Sequence, residues 1–183
     1  MEVLFMERFF LQPADRKDAE TAMALIDEAK KFLKTQGIDQ WQTGYPDMKT
    51  IGEDISHGRG YFIVDGSNIA AYLCIDFAGE VSYETLQGKW KSDLPYAVVH
   101  RMAICGEYRG QGIASIAFRL TEKLCIQKGI YSVRVDTDEN NTIMRHVLSK
   151  NGFNYCGTIW FDNNEKYAYE KILKREVSVN GAV

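Results

Sequence analysis

Histidine, proline and cysteine are scarce in this chain of 183 residues, with three, three and four copies respectively. Cys74, Cys105, Cys125 and Cys156 are far apart, form no Cys-x-x-Cys pair, and have too few histidines near them for zinc-ligand spacing. No metal is expected, and the thiols read as small buried side chains in a reducing compartment. A large charge of one sign is also missing: 22 Lys and Arg against 25 Asp and Glu leave a formal net charge of −3. Such a balance gives no electrostatic drive toward nucleic acid or an anionic membrane. The longest apolar run, residues 69–75, is seven residues, whereas a membrane-spanning helix needs about 20. The opening MEVLFMERFF is interrupted by Glu2, Glu7 and Arg8 and lacks the basic start and cleavage site of a secretory leader. A cytoplasmic location is expected.

What is present is an ordinary globular composition, 45% hydrophobic and 26% charged, in a length that suits one domain. Residues 8–12 read as a strand. Asp15 then precedes an amphipathic helix over 16–35, with Ala22, Leu25, Ile26, Ala29, Phe32 and Leu33 on one stripe and Gly37 at its end. A polar-aromatic stretch leads to a short helix near 47–56. Residues 61–64 and 69–77 are apolar runs around Asp65-Gly66-Ser67-Asn68, the chemistry of a hairpin. Residues 78–95 read as a long polar loop carrying Tyr83, Trp90 and Lys91, and loops of that length often serve function. A strand at 96–104, a helix from about 110, a strand at 131–135, a helix at 142–150 and strands at 153–161 and 166–173 complete the order. Hairpins mixed with strand–helix–strand crossovers call for an α/β domain with helices on both faces of a mixed sheet.

The sharpest local signal is Arg109-Gly110-Gln111-Gly112-Ile113-Ala114-Ser115, which follows an apolar strand and opens an amphipathic helix. A helix N-terminus offers unpaired amides and the positive end of the macrodipole. Gly110 and Gly112 clear the approach to those amides, Ala114 keeps the next position small, and Arg109 adds a forked cation, a design suited to pyrophosphate. The alternative is a tight strand-to-helix turn. A P-loop would need GxxxxGK[ST], and a dinucleotide fingerprint would need a third glycine where Ser115 stands; neither fits.

The pattern Arg/Gln-x-x-Gly-x-Gly/Ala, filled by Arg109, Gly112 and Ala114, resembles the GNAT superfamily of acyl-CoA-dependent N-acyltransferases. The likeness extends to the strand Val98-Val99-His100-Arg101-Met102-Ala103-Ile104, to Asp136-Thr137 and Asn141, and to Asn151-Gly152-Phe153. It implies a single GNAT-like domain over 1–183, with a core of about 7–174 and a short tail at 175–183. Its sheet would be mixed and mostly antiparallel, with a V-shaped split between the strands at 96–104 and 131–135. It also implies acetyl-CoA as cosubstrate, its pyrophosphate on the amides of Gln111, Gly112, Ile113, Ala114 and Ser115, beside Arg109 and Gly110. The pantetheine would pair with Met102, Ala103 and Ile104 as an added strand, and Asn141 would reach the cofactor. Asn141 equally suits a helix cap. The partners implied are acetyl-CoA and an amine acceptor, with no nucleic acid or membrane; a homodimer is compatible.

Acyl transfer to an amine needs a base, an oxyanion donor and a route for the leaving thiolate. The family commonly attacks directly, so no cysteine nucleophile is nominated. Histone-type members place a Glu where this chain has Val98. Other members carry an acid at the position of Asp136, which reads either as the base or as a cap of the following turn. His100 shares a strand face with Val98 and Met102 by alternation and is a candidate relay or a packed side chain. The usual acid, a Tyr on the second crossover helix, is replaced by Leu148; Tyr155, Tyr72 and Tyr83 are spare phenols. Acceptor contacts are expected from Trp41, Tyr45 and Tyr83, whose other reading is packing beneath loops. The expectation is an N-acetyltransferase acting on a primary amine of a small molecule or peptide. The alternatives are a non-catalytic acyl-CoA-binding sensor, favoured by Val98 and Leu148, and transfer of a longer acyl group.

Overall fold

The computed structural model describes residues 8–161 and 164–174; residues 1–7 of the opening segment read above for a leader, and the tail from 175, lie outside the described residues. Among the described residues eight strands form one sheet: β1 (Phe9–Pro13), β2 (Gly60–Asp65), β3 (Asn68–Asp76), β4 (Gln87–Gly88), β5 (Ala97–Ile104), β6 (Ser132–Asp138), β7 (Asn154–Phe161) and β8 (Asn164–Ile172). Four α-helices accompany them: α1 (Ala19–Thr35), α2 (Met48–Ser56), α3 (Ile113–Gln127) and α4 (Thr142–Lys150). The strand order is β1-β2-β3-β5-β6-β8-β7-β4. Every pair is antiparallel except β5–β6. Among the described residues no helix is long and apolar enough to cross a membrane.

Helix α1 forms because Ala22, Leu25, Ile26, Ala29 and Leu33 recur at helical spacing and are buried. Helix α2 begins where Asp47 accepts the Thr50 amide (2.8 Å). These two helices cover one side of the sheet, packing on Phe62, Val64, Tyr72 and Ala103. Ile113, Ile116, Ala117, Phe118 and Cys125 of α3 and Leu148 of α4 pack on the other, against Leu73, Ile75, Val99, Val133 and Val135. Burying each large side chain of this kind stabilises the fold by about 1.5–3 kcal/mol.

Four sequence expectations change. The helix expected from 110 starts at Ile113, because Gly110 and Gly112 take left-handed φ of 76° and 80° and cannot be helical. The strand at 131–135 runs on to Asp138, so Asp136 is mid-strand, paired with Ala168 on β8. It is Asp138 that caps the turn, accepting the Asn140 amide (3.0 Å). The 78–95 loop contains a 3₁₀ turn (Val81–Thr85) and strand β4. Finally, strict alternation fails along β5. Its register against β3 passes from Cys74↔His100 to Tyr72↔Ala103, which leaves Arg101 and Met102 together opposite Leu73. Arg101 sits at this bulge with a φ of 52°. Met102 therefore joins the core that holds Val99, not the face of Val98 and His100.

Candidate active site

The parallel strands β5 and β6 pair only at Ala97↔Val133 and Val98↔Arg134. Beyond those residues they diverge, and the edge of β5 from Val99 onward has no strand on its β6 side. A cavity of about 520 Å³ fills the split, lined by residues from β5, β6, α1, α3 and α4. The vertex is sealed by buried Val98 and Val133. A short parallel contact followed by an open edge is what an extended ligand needs if it is to hydrogen-bond along a strand.

At one end lies the mouth of α3. Gly112 is its N-cap and supplies no side-chain cap, so the amides of the first turn are left without an intrahelical acceptor. A Cβ on Gly110 or Gly112 would meet nothing within 4 Å. The glycines are thus required by their left-handed backbone and leave the cradle clear for an anion. Arg109 lines the cavity, with its guanidinium 4.6 Å over the Phe32 ring and 3.0 Å from Glu28 Oε1. Ser115 Oγ accepts a hydrogen bond from Asn151 Nδ2 (2.9 Å). Ile113 and Ala114 are buried at the helix start and line the same space, as do Met102 and Ile104 on β5. Gln111 is exposed beside the mouth and donates to Glu107 O (2.6 Å); Ala103 is buried on the α1–α2 side. Asn141 lines the cavity but caps α4, accepting the Met144 amide (3.0 Å) and donating to Gln40 Oε1 (2.9 Å). His146 and Lys150, exposed on α4, line the space too.

The other end carries the titratable groups. Asp136 lines the cavity and accepts a hydrogen bond from Tyr83 Oη (2.8 Å). Burial raises its carboxyl above the ordinary value; the Tyr83 hydrogen bond opposes this, Glu80 adds to it, and Lys166 and Arg101 oppose it. His100 is held down to about 3 by burial and then by the Arg101 charge, so at neutral pH it is an uncharged acceptor. Glu80 Oε2 lies 3.6 Å from His100 Nε2, too long for a hydrogen bond.

Sequence reasoning missed Arg101 and Asp54. The bulge aims Arg101 at Asp54 of α2, which accepts from Nε (2.6 Å) and Nη2 (2.7 Å), while Nη1 donates to Tyr45 Oη (2.5 Å). Asp54 shares the buried face of α2 with Ile51 and Ile55, and a carboxylate inside an apolar stripe is the signal that was there to read. The Tyr45 phenol is pushed up to about 12 by burial, with Arg101 opposing. Tyr45 and Trp41 line the cavity; Tyr83 does not, being buried behind Asp136 among Val98, Ile159 and Ala168. Tyr72 is buried with its hydroxyl 3.4 Å from Asp54, Tyr155 is exposed on β7, and Leu148 is fully buried in the core. Among the described residues no group of three His, Cys, Asp or Glu side chains is placed to hold a metal.

Comparison with known proteins gives a consistent picture. The sequence model of the Acetyltransferase (GNAT) family matches residues 23–153. A GNAT-family acetyltransferase from Streptococcus agalactiae is 32% identical, with a TM-score of 0.82 over 91% of this chain and 96% of that one. One from Listeria monocytogenes, 21% identical, shares the fold with a TM-score of 0.73 over 90% and 95% of the two chains. An aminoglycoside acetyltransferase solved with coenzyme A and kanamycin, 13% identical, also shares it, with a TM-score of 0.65 over 90% and 94%. No functionally curated protein matches.

Proposed function

The chain belongs to the GNAT acetyltransferase family, and on that premise we propose that it transfers an acetyl group from acetyl-CoA directly to a primary amine of a small molecule or peptide. The observation that carries this reading is the continuity of one cavity from the glycine-lined mouth of α3, along the open edge of β5, to the half-buried Asp136. The residues present fit an acyl-CoA. Bare amides from Gly112 to Ser115, with Gly110 keeping the approach open, suit a diphosphate, while Met102, Ala103 and Ile104 offer a strand edge to an extended amide chain. Bound there, the thioester supplies an activated acyl carbon.

The chain's own residues then have distinct tasks. An alkylamine with an ordinary pKa near 10.4 arrives protonated and must lose a proton before it can attack. Asp136 is the group placed to hold that proton, since burial raises its affinity for one. His100, uncharged and facing the same cavity, accepts a hydrogen bond without adding positive charge beside the amine. Main-chain N–H groups of the open β5 edge are the donors for a developing oxyanion. The aromatic rings of Trp41 and Tyr45 form walls for the acceptor.

The test is thiol release from acetyl-CoA with a panel of small primary amines and peptide N-termini, run beside calorimetric binding of CoA. Amine-dependent release supports the transferase. CoA binding with no release from any amine supports the sensor reading that buried Leu148, in place of a phenol, favours. A propionyl- and butyryl-CoA series tests longer donors.

A further inference from the structure

Tyr83 stands in a segment that looks unstructured in sequence yet is pinned on every side. We propose that Tyr83 is a positioning residue for Asp136: its buried phenol donates to Oδ1 and fixes the carboxylate in the orientation from which it takes the amine proton. The proposal rests on Asp136 being the base. The hydrogen bond is 2.8 Å, and Tyr83 is 2% exposed, so water does not compete for the phenol.

The phenol is itself held. Its ring lies 5.1 Å from the Trp90 ring and 6.2 Å from the Tyr96 ring, and Trp90 Nε1 donates to Tyr83 O (3.3 Å). Between Trp90 and Tyr96 sits the Arg134 guanidinium, 4.1 Å and 3.9 Å from the two ring centres. Arg134 donates to Ser92 O (2.9 Å) and to Glu170 (3.2 Å). Glu170 also accepts from the amides of Lys91 and Ser92 and from the hydroxyls of Ser92 (2.9 Å) and Ser132 (2.7 Å). Burial raises the Glu170 carboxyl, but these hydrogen bonds and the Arg134 charge outweigh it and leave it below the ordinary value. A fully ligated buried anion thus anchors the segment that carries the phenol.

A purely structural reading explains why Tyr83 is buried but not where its oxygen points. Among the described residues Asp136 is the one carboxyl that lines the cavity, and no cation is hydrogen-bonded to it, whereas the buried carboxyls Asp54 and Asp138, outside the lining, are paired with Arg101 and Lys166. The groups facing Asp136 are Tyr83 and Glu80 from the connection after β3, Arg101 and His100 from β5, Lys166 from β8 and Tyr45 from the α1–α2 connection. Of these only Tyr83 donates a hydrogen bond to it. The bond favours the anion, so its removal raises the proton affinity of Asp136.

The experiment follows the Asp136 carboxyl directly by carbon-13 NMR of aspartate-labelled protein, its signal identified from Asp136→Asn. In Tyr83→Phe the titration midpoint is expected to move to higher pH. The acid limb of the kcat profile moves with it, kcat at pH 7 falls about tenfold, and KM for acetyl-CoA is unchanged. Replacing Tyr83 with 3-fluorotyrosine, a stronger donor of the same shape, moves both quantities the opposite way. An Asp136 midpoint indifferent to both changes overturns the proposal while leaving the transferase reading intact. A midpoint that moves while the rate profile stays fixed overturns it together with the assignment of Asp136 as the base.

Discussion

His100 offers the sharpest test of the site's electrostatics, because two neighbours push it in opposite directions. Burial and the Arg101 charge hold its folded pKa at about 3, against an ordinary value of 6.5, whereas Glu80 at 3.6 Å favours the imidazolium. If burial and Arg101 win, the unfolded chain takes up a proton as pH falls below 6.5 and the folded chain does not. Stability then declines at about 1.4 kcal/mol per pH unit, and by pH 5 this one group has cost about 2 kcal/mol. The loss stops growing below about pH 3. Asp136 acts in the opposite sense: its raised folded pKa makes the protein gain stability as pH falls through that value. That contribution is common to wild type and His100→Gln and cancels in their difference. The assay is urea unfolding of both proteins at pH 7 and pH 5. Wild type should lose about 2 kcal/mol more than the variant, roughly 1 M in midpoint for an m of about 2 kcal/mol/M. Equal losses would refute the reasoning and mean that the folded ring carries its proton beside Glu80.

Gly112→Glu should abolish CoA binding in calorimetry, by placing a carboxylate in the cradle, and should cost about 1 kcal/mol of stability for its left-handed backbone. Gly112→Ala separates the two effects, keeping the backbone cost without the charge. Asp136→Asn should lower kcat about 100-fold and flatten the acid limb of the pH–rate profile; an unchanged profile removes it from catalysis. Glu170→Ala leaves the Arg134 guanidinium buried without its carboxylate, and chemical denaturation should show a loss of about 3 kcal/mol.

Much of the scaffold was legible from residue pattern. The stripe from Ala22 to Leu33, the turn chemistry at 65–68 and the glycines at 110 and 112 each report a local physical demand, and the structure meets each of them. What escaped depends on pairing between distant segments. Strand β4 has two residues, too few for any periodicity, and exists because Gly88 and Gly157 let two backbones approach where a Cβ on either would collide with the other chain segment. The Arg101 bulge leaves no mark in the alternating text of β5, since it is set by register against β3. Around the site, the α3 mouth could be seen because glycines announce it. The Tyr83–Asp136 bond spans 53 positions and could not. The Arg101–Asp54 pair was half visible, as an aspartate among isoleucines.

The bulge in β5 has a consequence for how the strand tolerates change. One surplus residue shifts the phase of everything after it, so that Val99 and Met102, three apart, look into the same layer. Deleting one residue at 101 or 102 would remove that surplus and restore simple alternation with Ala103 and Ile104 on the faces they already occupy, whereas a deletion elsewhere in the strand would turn the residues beyond it over and exchange oily for polar contacts. A point substitution disturbs one side chain, whereas a deletion away from the bulge would act like a slipped stitch, propagating to the end of the row.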